Sequence, residues 1–452
     1  MKKIKSYKII MALSLGAITL MPSCSDILDI EPQQNLSNNV ALSSSSDLVT
    51  AARGMYDLMQ DEDYYGRSMF VLPAVMSDEM FISSNNAGRY SEMQNYTFNS
   101  RTQWGRELWK EAYESINAAN EIIAANITDL TTAGRNAKGE AYAVRALSHF
   151  NLVNFFALQY PESSDLGIAL KTNTDPTELP SRSSVEQVYQ QVINDLIEAE
   201  SILDDSNNSG RFTKTAVQAL LAKVYLYSGD KVNAADYASK VISTKGSLSS
   251  NWKNDILLEI RNTDIDNEGV NSFAYFIDQR GYGDGLARES LFNLYDDNDT
   301  RKSDWYLKGD RTGGEIDTQI ITKFTLGGAT SPNDDNYPII RLPEMYLIRA
   351  EATMTTNPAQ ALIDLNAVAN ARNANTYGAI NLDNILLERQ KELAFEGHRL
   401  FDLIRNGKDI NRTTDCSVQC SLPYSSNKDS FVLPIPQVEL DANPNMQPNP
   451  NQ

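Results

Sequence analysis

The chain is poor in the residues that build metal and nucleophile sites. Among 452 residues there are three cysteines and two histidines, too few for a zinc centre of the usual Cys/His kind. No G-x-S-x-G, H-E-x-x-H or C-x-x-C run occurs, so the common sequence signs of a serine hydrolase, a zinc protease and a dithiol centre are missing. Positive charge is short as well: 40 Lys and Arg face 59 Asp and Glu, a formal net charge of −19. Such a surface repels nucleic-acid phosphates and anionic lipid headgroups but does not oppose a neutral ligand such as a sugar. What is present, 41% hydrophobic and 22% charged residues, is the composition of a globular protein.

The N-terminus reads as an address. Lys2, Lys3, Lys5 and Lys8 precede an apolar run from Ile9 to Leu20. That is a secretory signal rather than a membrane span, which needs about 20 apolar residues. Met21-Pro22-Ser23-Cys24 looks like a bacterial lipobox. The expectation is a signal peptide over residues 1–23, with Cys24 as the lipidated first mature residue. Several acyl chains on one cysteine hold a protein stably at a membrane. The alternative is an ordinary secreted protein cut nearby. Loss of residues 1–23, with their four lysines, takes the net charge to −23. Cys416 and Cys420 then remain as an even pair in an oxidising compartment, expected to form a disulfide, with a free pair as the alternative.

Helical periodicity recurs along the chain. Ser46 to Gln60 opens with Ser/Asp cap chemistry, and Trp104 to Ile127 carries Leu108, Ala112, Ile116, Ala119 and Ile123 on one face. Arg135 to Tyr160 follows and stops before Pro161. Ser184 to Leu203 starts with a serine cap. Thr213 to Thr244 is a helical pair turning at Gly229-Asp230, with small residues at offsets like those of a tetratricopeptide unit. Leu342 to Asn375, broken near Asn357-Pro358, and Leu382 to Asn406 complete the set. About four pairs, near 46–127, 135–203, 213–244 and 342–406, predict a mostly α fold: a tetratricopeptide-like superhelix in which each pair buries its face on the next. Two loop-rich tracts, 61–103 and 245–340, lack sustained helical periodicity and are expected to be functional or to carry small strands. An extended tail, 408–452, closes the chain.

Glu388 to Gly407 is the densest stretch. It reads as one helix that stops at Gly407, with Leu386, Leu393 and Leu400 facing a core. Its charges sit three or four apart, where side chains meet. Paired carboxylates beside His398 suggest an active site; the competing reading is an ion-pair network that pins the helix to its neighbours. An enzyme's acid and base more commonly converge from separate segments.

Glu392, Leu393, Ala394, Phe395, Glu396, Gly397, Arg399, Asp402, Leu403 and Arg405 resemble the C-terminal signature of the SusD/RagB family, nutrient-binding surface lipoproteins of Bacteroidetes-type bacteria. Leu400 stands where that signature usually has an aromatic. Arg145 to Phe156, Leu166 to Leu170 with Arg182 to Val185, Arg341 to Ala352, and Leu433 to Gln437 with Asn443 to Asn445 resemble further family segments in the same order. The start of the mature chain, Cys24 to Pro32, resembles the family's acidic tether. The resemblance implies a single domain over 24–452, no enzymatic activity and no cofactor. It also implies anchoring on the outer face of the outer membrane and delivery of a captured nutrient to a SusC-like TonB-dependent transporter. In the family the signature, here Glu392, Glu396, Arg399, Asp402 and Arg405, is structural.

A sugar ring has an apolar face and a rim of hydroxyls, so it is held by flat aromatic faces and planar polar groups. The aromatics of the two tracts are the candidates: Tyr64, Tyr65, Tyr90 and Tyr96 in the first, Tyr275, Tyr282, Trp305 and Tyr306 in the second. Tyr282 leads because glycines at 281, 283 and 285 leave it little local packing; Trp305 and Tyr90 follow. Asp78, Asn85, Asn86, Arg89 and Asp284 are candidate hydrogen-bonding partners. Core packing is the competing role for each ring, and for His149 and the Trp109/Tyr113 pair it is the expected one. Asp296 to Asp299 invites a calcium reading, but it lacks the glycine and distal glutamate of an EF-hand and is expected to be a solvated loop. The expected ligand is an oligosaccharide. The alternatives are a peptide, as RagB-like members bind, and a glycosidase using Glu396 and Asp402, which would need both carboxyl groups in one cleft.

Overall fold

A computed structural model of the chain describes residues 42–158, 165–207, 210–263, 265–311, 313–324, 335–450 and 452. The expected signal segment, Cys24 and the helix end expected at Tyr160 lie outside them. Helix α1, Ser45–Gln60, starts with a reciprocal cap: the Ser44 side chain accepts from the Asp47 amide and the Asp47 carboxylate accepts from that of Ser44, satisfying two of the helix's orphan donors. Helix α2 spans Ser68–Met76, α3 Gln103–Ala124 and α4 Thr132–Phe156. The serine cap read at Ser184 opens α5, Val185–Ile202. The pair read over 213–244 forms α6, Lys214–Tyr227, and α7, Lys231–Lys245. Then come α8, Leu342–Thr353, α9, Pro358–Ala371, α10, Leu382–Glu392, and α11, Arg399–Arg405.

From α3 to α9 each long helix packs on the one before it, and α1 leans on both α3 and α4. This is the stacked-pair superhelix that the periodicity predicts. Where α8, α9 and α10 meet, Leu347, Ala350, Ala361, Leu365, Val368 and Ile385 are fully buried together. The tracts between helices carry small antiparallel sheets. One is four-stranded in the order β1-β3-β5-β4, from Met80–Ile82, Gly285–Ala287, Thr318–Ile321 and Tyr306–Gly309. A second pairs β2, Ile256–Ile260, with β6, Tyr337–Arg341, and a third pairs β7, Ile410–Asn411, with β8, Ser421–Leu422.

Two sequence expectations are corrected. The tract 61–103 is not helix-free: α2 (Ser68–Met76) is buried at every position and contains Pro73. A helix apolar all round has no amphipathic period to read. The signature stretch is two helices, not one. Between α10 and α11 the chain turns through Phe395 at φ 63° and Gly397 at φ 81°, and a Cβ at Gly397 would lie 2.6 Å from the Met69 carbonyl oxygen of α2. Glycine permits both the left-handed backbone and the contact. The stop read at Gly407 is present, with its φ at 60°.

Candidate functional site

The carboxylates of the signature are consumed inside the protein. Glu392 meets Arg301, Arg341 and Arg372 at 2.8–3.0 Å. Glu396 meets Arg341 and Lys323 at 2.7 and 2.6 Å, and Asp402 meets Arg389 and Arg405 at 2.7 and 2.8 Å. Burial pushes the Glu392 carboxyl up, but its three arginines outweigh that and hold it well below the usual range; Asp402 is held down at about 2 for the same reason. Within the stretch, contacts three residues apart form between Asp402 and Arg405 and between Glu388 and Lys391. Arg389 links α10 to Asp402 of α11, and the partners of Glu392 and Glu396 come from distant segments, so the network ties both helices to the rest of the fold. Glu396 borders a cavity of only about 30 Å³, which leaves no cleft where it and Asp402 could flank a glycosidic bond. His398 faces Glu344 at 3.3 Å in the same interior.

The candidate ligand residues separate into two groups. Trp305 is 1% exposed and Tyr90 is fully buried, which corrects both as binding platforms. Trp305 is held by Lys323, whose ammonium lies 3.8 Å from its ring centroid, and by Trp252. The Tyr90 hydroxyl accepts from Arg67 and shares a hydrogen bond with the Ser68 hydroxyl in the core. Tyr64, Tyr65 and Tyr306 are buried too. Asp78 forms a two-bond ion pair with Arg399 at 2.8 Å, so it belongs to the signature network rather than to a sugar site. Asp284 is tied to Arg311 at 2.7 Å. Asp296 to Asp299 form a structural turn, with Asp299 on Arg301 and Asn298 exchanging hydrogen bonds with Asn373.

Tyr282, Asn85 and Asn86 reach the surface together. The end of β1 and the start of β3 lie side by side, Ile82 opposite Gly285, and the Ser83 amide donates to the Asp284 carbonyl at 2.9 Å. The turn after β4 folds over this end: Arg311 bonds the carbonyls of Tyr282 and Gly283, while Glu315 accepts from both Ser83 and Ser84. Gly281 is required here, since a Cβ would lie 2.3 Å from the Tyr275 carbonyl oxygen. Tyr282 packs edge-on to Tyr275 at 4.9 Å, and the Arg89 guanidinium covers its ring at 4.0 Å.

The sequence reading missed Trp104. It is partly exposed and stacks on buried Tyr90 with centroids 4.0 Å apart. Tyr90 meets Phe276 edge-on at 5.4 Å, so the ring contacts link Trp104 to the loop of Tyr275 and Tyr282. At the first turn of α3 it sits in register with buried Leu108 and so reads as core from the sequence. Three rings joined to this set of contacts are partly exposed, Trp104, Tyr275 and Tyr282, with Arg89 over Tyr282 and Asn85 and Asn86 on the turn beside β3. Nearby charge is acidic. Burial and Glu62 raise Asp63 to about 7, and burial with Asp61, Glu62 and Asp57 raises Glu268 to about 7. The arrangement favours neutral, hydroxyl-rich ligands over anions.

In the connection between β7 and β8, Cys416 and Cys420 are joined in a disulfide with a Cα–Cα distance of 5.6 Å. Among the described residues, no helix is long and apolar enough to cross a membrane.

Two family models match the chain, one described as starch-binding associating with outer membrane, over residues 26–226, and one described as the SusD family, over residues 318–451. SusD-like protein P2 of Formosa agariphila is 26% identical over 98% of this chain and 99% of its own. A SusD superfamily protein from Bacteroides thetaiotaomicron superposes with a TM-score of 0.83 at 27% identity, covering 90% of this chain and 100% of that one. Another from Bacteroides vulgatus gives 0.82 at 29%, covering 90% and 99%.

Proposed function

The chain belongs to the SusD/RagB family, and from that premise we propose that it captures neutral oligosaccharides at the Trp104–Tyr282 surface. The observation that carries this is the set of partly exposed aromatic rings, Trp104 stacked on Tyr90 and Tyr282 edge-on to Tyr275, with Arg89 over Tyr282 and Asn85 and Asn86 on the neighbouring turn. An indole and a phenol ring stack on the apolar faces of sugar rings, while a guanidinium and amides meet hydroxyls at the edge. Capture is reversible, and no bond is broken. The starch-binding description of the matching family model supports the ligand class.

We also propose that Cys24 carries the lipid that holds the protein on the outer face of the outer membrane. The ligand then passes to a SusC-like TonB-dependent transporter, over which this chain acts as a lid. The single domain over 24–452 belongs to the same proposal. Co-expression with the transporter and pull-down tests it; a chain that never associates with a barrel overturns the delivery step. Labelling with a lipid precursor tests Cys24.

The ligand is tested by calorimetry of the full chain against maltohexaose, laminarihexaose, xylohexaose and a set of peptides. Binding of one glycan class, weakened roughly 10- to 100-fold by Trp104→Ala in line with about 1–3 kcal/mol for a buried aromatic contact, supports the reading. Binding of peptides without glycans overturns it.

A further inference from the structure

A second hollow lies outside the Trp104–Tyr282 surface, between the turn before α3 and the segment after β8. We propose that it is a separate saccharide pocket taking one or two neutral sugar units. Its volume is about 320 Å³, the lower end of the range for small-molecule pockets, which suits a chain end rather than a long polymer. Tyr96 and Phe98 supply apolar faces on one side, and Asn99, Asn427, Asp429 and Ser430 supply polar groups around it. That is again the chemistry of a ring with one apolar face and a hydroxyl rim. Asp429 is the one charged side chain lining it, so neither a phosphate nor a uronate is complemented.

The pocket is framed in advance. The Tyr96 hydroxyl donates to the Met76 carbonyl at 2.6 Å. The Gln437 amide donates to the Ser100 carbonyl at 2.8 Å. Gln452 clamps both backbone groups of Ile435 at 3.0 and 2.7 Å, and Asn449 donates to the carbonyls of Phe156 and Leu433. Those contacts use Asn449 and Gln452 for the walls; Asn99 and Asn427 are the groups that face a ligand. Asn99 accepts from the Arg101 amide through its carbonyl oxygen, which keeps its NH₂ as a donor. Asn427 spends its NH₂ on Pro423 and Ser426, which keeps its carbonyl oxygen as an acceptor. A donor and an acceptor beside two aromatic rings match adjacent hydroxyls of a sugar at little ordering cost.

The test is saturation-transfer NMR on the full chain, with maltose, cellobiose and laminaribiose as probes. In Trp104→Ala/Tyr282→Ala, transfer to at least one disaccharide persists, and adding Asn427→Ala/Asp429→Ala removes it. Transfer that vanishes entirely in the first variant overturns the pocket, as does transfer that survives the added pair. Each variant must keep the wild-type melting temperature; Phe98→Leu, which deletes the ring and keeps apolar volume, replaces any that does not, with the same expected loss. The cleft reading fails separately, if Trp104→Ala/Tyr282→Ala leaves hexasaccharide affinity unchanged.

Discussion

At the residue scale, the side chains packed around each aromatic ring set whether it reaches solvent: Tyr282 is partly exposed, while Trp305 and Tyr90 are buried. Tyr282 was legible because three glycines thin the chain around it. Trp305 and Tyr90 were not separable from it, since both sit in the same tracts; what buries them is Lys323 and Trp252 for one, Trp104 and Phe276 for the other, all distant in sequence. His149 was legible as core from its place on an apolar helix face, and it carries a pH dependence. Burial, with Arg145 nearby, lowers it to about 3, while the unfolded chain titrates near 6.5. Below 6.5 the unfolded state binds the proton and the folded state does not, so stability falls as pH drops. Urea unfolding at pH 7 and pH 5 should show a loss of about 2 kcal/mol from this group that is absent in His149→Gln. Asp63 has the opposite sign. Its folded value near 7 lies above the unfolded one, so its contribution is present at low pH and lost as pH rises through 7. Asp63→Asn should therefore raise stability at pH 8, by about 1 kcal/mol after allowing for its partial exposure, and change little at pH 4.

At the element scale, the signature stretch shows what a motif tells and what it withholds. That its charges form a structural network followed from their density. That the helix breaks at Phe395–Gly397 did not, because the reason lies in α2, which approaches so closely that only glycine fits. Gly397→Ala should cost about 1–3 kcal/mol through the positive φ and the Met69 contact, while Gly378→Ala, which meets nothing within 4 Å, serves as the neutral control in the same denaturant series. Glu392→Gln leaves Arg301, Arg341 and Arg372 around a neutral amide. Removing one partner of a buried network costs about 3–5 kcal/mol, and thermal unfolding should register it even though the residue is far from either proposed ligand surface. Retained stability in Glu392→Gln would mean that the three arginines find enough compensation in Glu396, Glu388 and Asp255.

At the scale of the molecule, the superhelix was readable because each pair carries its own 3.6-residue period, and stacking them is the way their faces are buried. That the loop-rich tracts carry small strands was readable from their missing helical period; which strands pair was not, since strands of two to five residues leave no period and β1 meets β3 from the other tract. Net charge was readable without any structure, and it makes a prediction about the ligand that depends on neither the cleft nor the pocket in detail. A chain at −19 repels polyanions at long range, and salt screens that repulsion with a Debye length near 10 Å at 0.1 M. A neutral oligosaccharide has no charge to screen. Its affinity, measured by calorimetry from about 0.05 to 0.5 M salt, should therefore stay flat within error. A sulfated or uronate-rich glycan of the same linkage should bind weakly at low salt and gain affinity as salt rises. An affinity that instead falls steeply with salt would mean that Arg89 meets an anionic group directly, and that local charge at the site outweighs the field of the whole protein.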